Sequence, residues 1–183
     1  PGEALLVTGA SGAGKSTLLR ALAGLWPFAH GRTAFPANEK RLFLSQRPYL
    51  PLGTLARAVA YPLTAQGPRE EMERALRLVG MEAFLSRLDE VADWSHILSL
   101  GEQQRIAFAR ILLVRPAWAF LDEATSALDE AREKELYEML AHELPEMGIV
   151  SVGHRSTLRA QHERELHLDG MGGFSTRVLT ESA

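Results

Sequence analysis

Apolar residues in this chain fall in short dense runs, separated by polar stretches with a helical period. Glu3 to Thr8, with Ala4-Leu5-Leu6-Val7 at its centre, is short and apolar enough for a buried strand. Lys15 to Leu22 follows with helical spacing, and Gly24 and Pro27 stop it. Arg41 to Ser45 (RLFLS) predicts a second strand. Arg69 to Val79 and Met81 to Leu88 return to a helical period, with Met72, Leu76 and Val79 on one face. Glu102 to Val114 predicts another helix and Trp118 to Leu121 a buried strand. Glu130 to Leu144 reads as an amphipathic helix, Ile149 to Val152 as a strand and Glu165 to Leu168 as a last one. The tail from Gly170, rich in Gly, Ser and Thr, carries no pattern that assigns it.

Strands alternating with helices predict an α/β fold with a mostly parallel central sheet. The turn-rich stretch Pro62 to Pro68 marks a boundary, and a helical insert over about 63–100 interrupts the alternation. The expected organisation is one domain over 1–183, with a core at about 1–62 and 101–183 and a helical subdomain between. No apolar run reaches the length of a membrane span; the longest, Ile106 to Leu121, is broken by Arg110, Arg115 and Pro116. The chain itself is expected to be soluble. A net charge of -3 gives no electrostatic reason for nucleic-acid binding. With no cysteine there is no disulfide and no thiolate metal site.

One stretch carries chemistry on its face. Gly9-Ala10-Ser11-Gly12-Ala13-Gly14-Lys15-Ser16-Thr17 matches G-x-x-x-x-G-K-[ST] and sits between a predicted strand and helix. Its glycines let successive N–H groups turn toward phosphate oxygens, and the positive end of the next helix adds to the attraction. The pattern predicts that Lys15 reaches the β- and γ-phosphates and that Ser16 ligates Mg²⁺. This makes the core a P-loop NTPase. Asp122 and Glu123 close the strand of WAFLDEATSALD, at the sheet edge where ligands bind. One carboxylate, Asp122, suits Mg²⁺, and the next, Glu123, suits a general base for the attacking water.

With LSLGEQQRIAFARILLVRPAWAFLDEATSALDE the chain resembles the ATPase of ATP-binding cassette (ABC) transporters, and the motifs follow that family's order. Gln46 in LFLSQRPYLPLGTL resembles its Q-loop, implying contacts to Mg²⁺ and water. Ser99, Leu100, Gly101, Glu102 and Gln103 resemble its signature, Asp129 its D-loop and His154 in SVGHRS its switch histidine. Leu100 stands where the family more commonly has glycine. The motifs look closest to half-transporters of the peroxisomal fatty-acyl type and to bacterial relatives that import peptide antibiotics or vitamin B12-like compounds.

The resemblance implies ATP as substrate with Mg²⁺, and catalytic roles for Glu123, His154, Gln46 and Lys15. It implies a second copy docked head to tail, so that the signature meets nucleotide bound to the other subunit. It also implies a transmembrane domain on the same full-length chain, at the cytoplasmic face of the inner membrane. The family's adenine-stacking aromatic and antiparallel strands would lie before Pro1, so the chain alone is expected to be weakly active. Trp26 and Phe28 are expected to pack the end of the helix against the sheet instead. Tyr49, Leu50, Pro51 and Leu52 are open to two readings: a loop folded over its own core, or a surface for the membrane domain's coupling helices. A soluble ABC ATPase acting on DNA or ribosomes is the alternative function. The compact segment between P-loop and signature, without an extended heptad run, disfavours it.

Overall fold

The computed structural model describes residues 2–179 apart from 29, 34, 36–38 and 66. In chain order the elements are β1 (Ala4–Gly9), α1 (Lys15–Leu22), β2 (Arg41–Leu44), β3 (Gly53–Thr54), α2 (Leu55–Ala60), α3 (Arg69–Leu78), a 3₁₀ helix (Glu82–Arg87) and β4 (Val91–Ala92). There follow α4 (Trp94–Ile97), α5 (Leu100–Val114), β5 (Trp118–Asp122), α6 (Glu130–Glu143), β6 (Gly148–Val152), α7 (Ser156–Arg159), β7 (Arg164–Leu168) and β8 (Phe174–Val178). They group into two units, Pro1–Ser45 with Pro116–Glu123 and Leu144–Ala183, and Gln46–Arg115 with Ala124–Glu143.

The first unit is built on a six-stranded sheet in the order β2-β5-β6-β1-β7-β8. Every pairing is parallel except β7 with β8. β6, Gly-Ile-Val-Ser-Val, is buried at all its positions, as a strand covered on both faces must be. Val7, Leu19, Phe120, Val150 and Val152 form the core where α1 lies on the sheet. Each such side chain stabilises by about 1.5–3 kcal/mol on full burial. Because β1, β5 and β6 run parallel, their carboxyl ends share one edge of the sheet. The phosphate loop, Asp122 with Glu123, and His154 follow those ends.

The second unit packs around α5. Its residues from Ile106 to Leu112 are all buried, so the helix is covered on every side. Met72, Leu76 and Val79 point inward from the α3 segment as the periodicity predicted. The expected insert, about 63–100, lies inside this unit, which also takes in residues 46–62, α5 and α6.

Several expectations change. Met81 to Leu88 is a single stretch of 3₁₀ helix over Glu82–Arg87. Its two buried residues, Met81 and Leu88, flank the segment, and Phe84 N–H reaches back only three residues to Met81 O at 3.1 Å. The signature helix begins at Leu100, two residues before Glu102. The unassigned tail forms β8, an edge strand whose residues are all exposed, so no buried face could mark it in sequence. Trp26 and Phe28 are not buried against the sheet. They are 36% and 76% exposed and meet each other edge to face at 5.7 Å.

Candidate functional site

The first unit assembles the phosphate loop. β1 ends in Gly9, whose φ is 140°. A side chain there would lie 2.4 Å from the Leu168 carbonyl oxygen, so only glycine lets the chain turn off the sheet at this point. Gly14 caps α1 from the left-handed region at φ 92°, which Cβ-bearing residues rarely adopt. Ala10, Ser11, Gly12 and Thr17 face solvent and Ala13 is half-buried. Lys15 folds back into the loop, 7% exposed, and its ammonium donates to the carbonyls of Gly9 and Ala10, each at 2.9 Å. Ser16 Oγ donates to Asp122 Oδ1 at 2.7 Å, joining the start of α1 to the end of β5.

Glu123 is one of two non-glycine residues with positive φ among those described, at 52°. Strained backbone of this kind persists where the surroundings over-determine it. Here the Glu123 N–H donates to Val152 O at 3.1 Å, which pins the chain just past β5 to its neighbour β6. The carboxylate Oε1 then lies 3.4 Å from Nε2 of His154, two residues past the end of β6. Gly9 and His154 line one cleft of about 230 Å³. Two adjacent parallel strands thus place a carboxylate and an imidazole together at the same edge as the phosphate loop.

The donor set suits Mg²⁺. The Ser16 hydroxyl and the Asp122 carboxylate are hard oxygen donors, and at 2.7 Å apart they can serve one ion. Among the described residues no three His, Cys, Asp or Glu side chains cluster as a protein-only cage would. A Mg²⁺ site that borrows phosphate and water ligands needs only one or two protein oxygens.

The second unit carries Gln46, the signature and Asp129. Ser99 caps α5 in a full capping box: its Oγ accepts from Glu102 N–H at 3.3 Å, and Glu102 Oε2 accepts from Ser99 N–H at 2.8 Å. Such caps contribute about 1 kcal/mol and satisfy N–H groups at the helix's positive end. The α5 segment from Leu100 therefore starts with its N–H groups facing the cap. Gly101 sits against the next turn, where a Cβ would come within 3.3 Å of Ala127 O and Leu128 Cδ2. Gln103 Nε2 donates to Ser95 O and Leu98 O, both at 2.9 Å, and ties α4 to α5. Asp129 Oδ1 accepts from Arg132 N–H at 2.8 Å and caps α6. Ser99, Gly101, Glu102, Leu128 and Asp129 line a cleft of about 310 Å³. Gln46 is exposed, two residues past β2, and its carbonyl accepts from Gln104 Nε2 at 2.9 Å.

Three groups escaped the sequence reading. Gln104 is fully buried, whereas Gln103 beside it is not. It shares a helical stripe with Ala107, Phe108 and Ile111, which is the signal that could have found it. Arg110 is 3% exposed, donates to Ala58 O and Tyr49 O at 2.6 and 2.9 Å, and lies 5.2 Å from the Tyr61 ring centroid. Burial pulls its guanidinium down to about 10, so it stays charged at neutral pH. It holds the 49–58 segment, in which Leu50 and Pro51 are buried while Tyr49 and Leu52 are exposed, so the loop partly covers its own core. Glu165 is the third group. Burial would raise its pKa, but hydrogen bonds from Thr8 and Arg177 with the charges of Arg159 and Arg177 outweigh this and hold it below the ordinary carboxylate value. It fastens β7 to β1 directly behind the phosphate loop.

His162, assigned no role from sequence, is a buried structural histidine. Leu158 O at 2.6 Å can only accept, so the proton is on Nδ1 and Nε2 accepts from Ser151 Oγ at 2.9 Å. Burial lowers its pKa, which keeps the ring neutral.

Comparisons with known proteins agree with this geometry. The family described as ABC transporter matches residues 1–126. An uncharacterized ABC transporter ATP-binding protein of Haemophilus influenzae is 49% identical over 93% of this chain and 29% of its own length. The lysosomal cobalamin transporter ABCD4 of Mus musculus is 40% identical over 98% of this chain and 32% of its own length. A bacterial Atm1-family ABC exporter solved with ATP bound superposes with a TM-score of 0.81 at 27% identity, covering 92% of this chain and 32% of that one. The chain thus spans about a third of the length of these proteins. A phosphate loop, an acidic strand end and a capped signature helix, matched by the family over 126 residues and by relatives across nearly the whole chain, make the assignment: this chain is an ATP-binding domain of the ABC transporter family.

Proposed function

We propose that the two units form one ATPase domain, the motor of a membrane ABC transporter. In it, ATP closes two copies head to tail and hydrolysis reopens them. The observation that carries this reading is the cluster at the sheet edge: Lys15 turned into its loop, Ser16 bonded to Asp122, and Glu123 beside His154. Relatives named as transporters support it over a soluble ATPase of DNA or ribosomes. Among the described residues no helix is long and apolar enough to cross a membrane, so the transmembrane domain would be a separate part of the full protein, with this domain at its cytoplasmic face.

The residues divide the work. The ammonium of Lys15 moves from its own loop carbonyls to the β- and γ-phosphates. The N–H groups of residues 9–17 line the phosphates. Ser16 and Asp122, with Gln46 as the Q-loop resemblance implies, would hold Mg²⁺, which would neutralise charge developing on the phosphate oxygens. Glu123 takes a proton from the attacking water as its oxygen bonds to the γ-phosphorus and the bridging oxygen leaves with ADP. His154 hydrogen-bonds the γ-phosphate or the water. Ser99, the positive end of α5 and Asp129 complete the site of the other copy. Two identical contacts of this kind close a two-fold dimer.

Replacing Ser99 by arginine tests the last point. Ser99→Arg in the full-length protein is expected to leave ATP binding within about threefold of wild type while hydrolysis is lost, because a bulky cation at the signature blocks closure while every residue of the phosphate loop is unchanged. Wild-type hydrolysis by the variant would overturn the proposal, since a P-loop enzyme without a composite site has no need of this residue.

A further inference from the structure

Gln104 is a buried amide that ties together three segments of the second unit. Its Nε2 donates to Gln46 O at 2.9 Å and to Ser126 Oγ at 3.1 Å, and its Oε1 accepts from Ala127 N–H at 3.0 Å. The orientation is fixed by the partners, since a carbonyl can only accept and a backbone N–H can only donate. One end of the amide therefore holds the backbone at Gln46, and the other holds the turn before Asp129. That turn is stiff in its own right. Leu128 N–H donates to Thr125 O at 3.0 Å, Thr125 Oγ1 donates to buried Glu133 at 2.5 Å, and Asp129 caps α6. One turn earlier on α5, Gly101 leaves room for the helix to lie close to Ala127 and Leu128, which a Cβ would meet at 3.3 Å. The helix that begins with the signature thus lies close to the turn at Gly101, grips it through Gln104 and ties the Gln46 backbone to it.

We infer that Gln104 is a positioning residue that sets the Gln46 backbone and the Asp129 turn in register with the signature helix, so that the segment read as serving the subunit's own nucleotide and the two read as serving the other copy's keep one fixed spacing. The inference rests on the reading that Gln46 and Asp129 act at the ATP site. Gln104 itself touches no substrate. Its loss frees the Gln46 backbone without altering the phosphate loop of the first unit, and displacement of a positioned group by about 1 Å costs on the order of 10²-fold in rate. The amide therefore matters for turnover and little for nucleotide affinity.

The test is a mutant cycle in the full-length protein, read as kcat and KM for ATP. Gln104→Met keeps the length and removes all three bonds. Gln104→Glu is isosteric and keeps an acceptor for Ala127 N–H while its ionised form cannot donate to Gln46 O, and it guards against a fold that does not tolerate methionine. Each is expected to lower kcat by about 10- to 100-fold with KM within about threefold. On a background carrying both Gln46→Ala and Asp129→Ala the same changes are expected to lower kcat by less than about threefold further, because both groups they position are gone. Losses that simply multiply, a KM that rises in step with the fall in kcat, or failure of both variants to fold would overturn the inference and leave Gln104 as packing. Wild-type turnover by Gln46→Ala alone would instead overturn the site reading beneath it, and the inference with it.

Discussion

Lys15→Ala is expected to abolish ATP hydrolysis by the full-length protein and to weaken ATP binding. The Lys15 ammonium lies inside the phosphate loop, where it holds the Gly9 and Ala10 carbonyls. A charge-assisted hydrogen bond contributes about 1.5–3 kcal/mol, so losing one to the phosphates predicts binding roughly 10- to 150-fold weaker. Alanine also leaves the two carbonyls of the loop without this donor, which loosens the cradle just where the N–H groups must converge. Equilibrium binding of a fluorescent ATP analogue and steady-state phosphate release measure the two effects. Unchanged turnover by the purified variant would remove Lys15 from the site.

Glu123→Gln is expected to separate chemistry from binding. The side chain sits on a positive-φ residue held to Val152 and 3.4 Å from His154. Glutamine keeps the shape and loses the basic oxygen, and a missing general base costs roughly 10²–10⁴-fold in rate. ATP affinity should be retained, and the ATP-bound dimer should live longer because its exit through hydrolysis is closed. Single-turnover kinetics and the lifetime of trapped nucleotide report both. Wild-type turnover would move the base to another group, with His154 next in line. Asp122 is a poor substitute, since its Oδ1 already accepts from Ser16.

The parts of this protein that were legible in sequence are those written in contiguous residues. The glycine spacing of residues 9–17 encodes a turn that only glycine can make, and the structure uses Gly9 and Gly14 for that. Asp122 and Glu123 were legible because a short apolar strand points them at the sheet edge. What stayed hidden depends on tertiary partners. Nothing local tells Gln104 from Gln103; only the buried stripe of α5 does, and its satisfied amide needs two segments far away in sequence. β8 pairs with β7 through backbone bonds while Phe174 and Val178 stay exposed, so it lacks the alternation that marks a strand. Trp26 and Phe28 misled because large aromatics are usually buried, and here they meet edge to face with both rings exposed. The loop after Gln46 defeated a single reading because it alternates: Leu50 and Pro51 turn in, Tyr49 and Leu52 turn out.

The central claim is that two copies complete each other's ATP sites, and disulfide trapping tests it most directly. These 183 residues contain no cysteine, so a pair can be introduced cleanly. In full-length protein freed of any other cysteine and carrying Glu123→Gln, Ser11→Cys would mark the phosphate loop and Leu100→Cys the start of the signature helix. The account predicts that oxidation with ATP and Mg²⁺ present links two subunits, phosphate loop of one to signature of the other, and that the link is absent without nucleotide. A disulfide formed only within one subunit, or no disulfide while the protein demonstrably holds ATP, would contradict it.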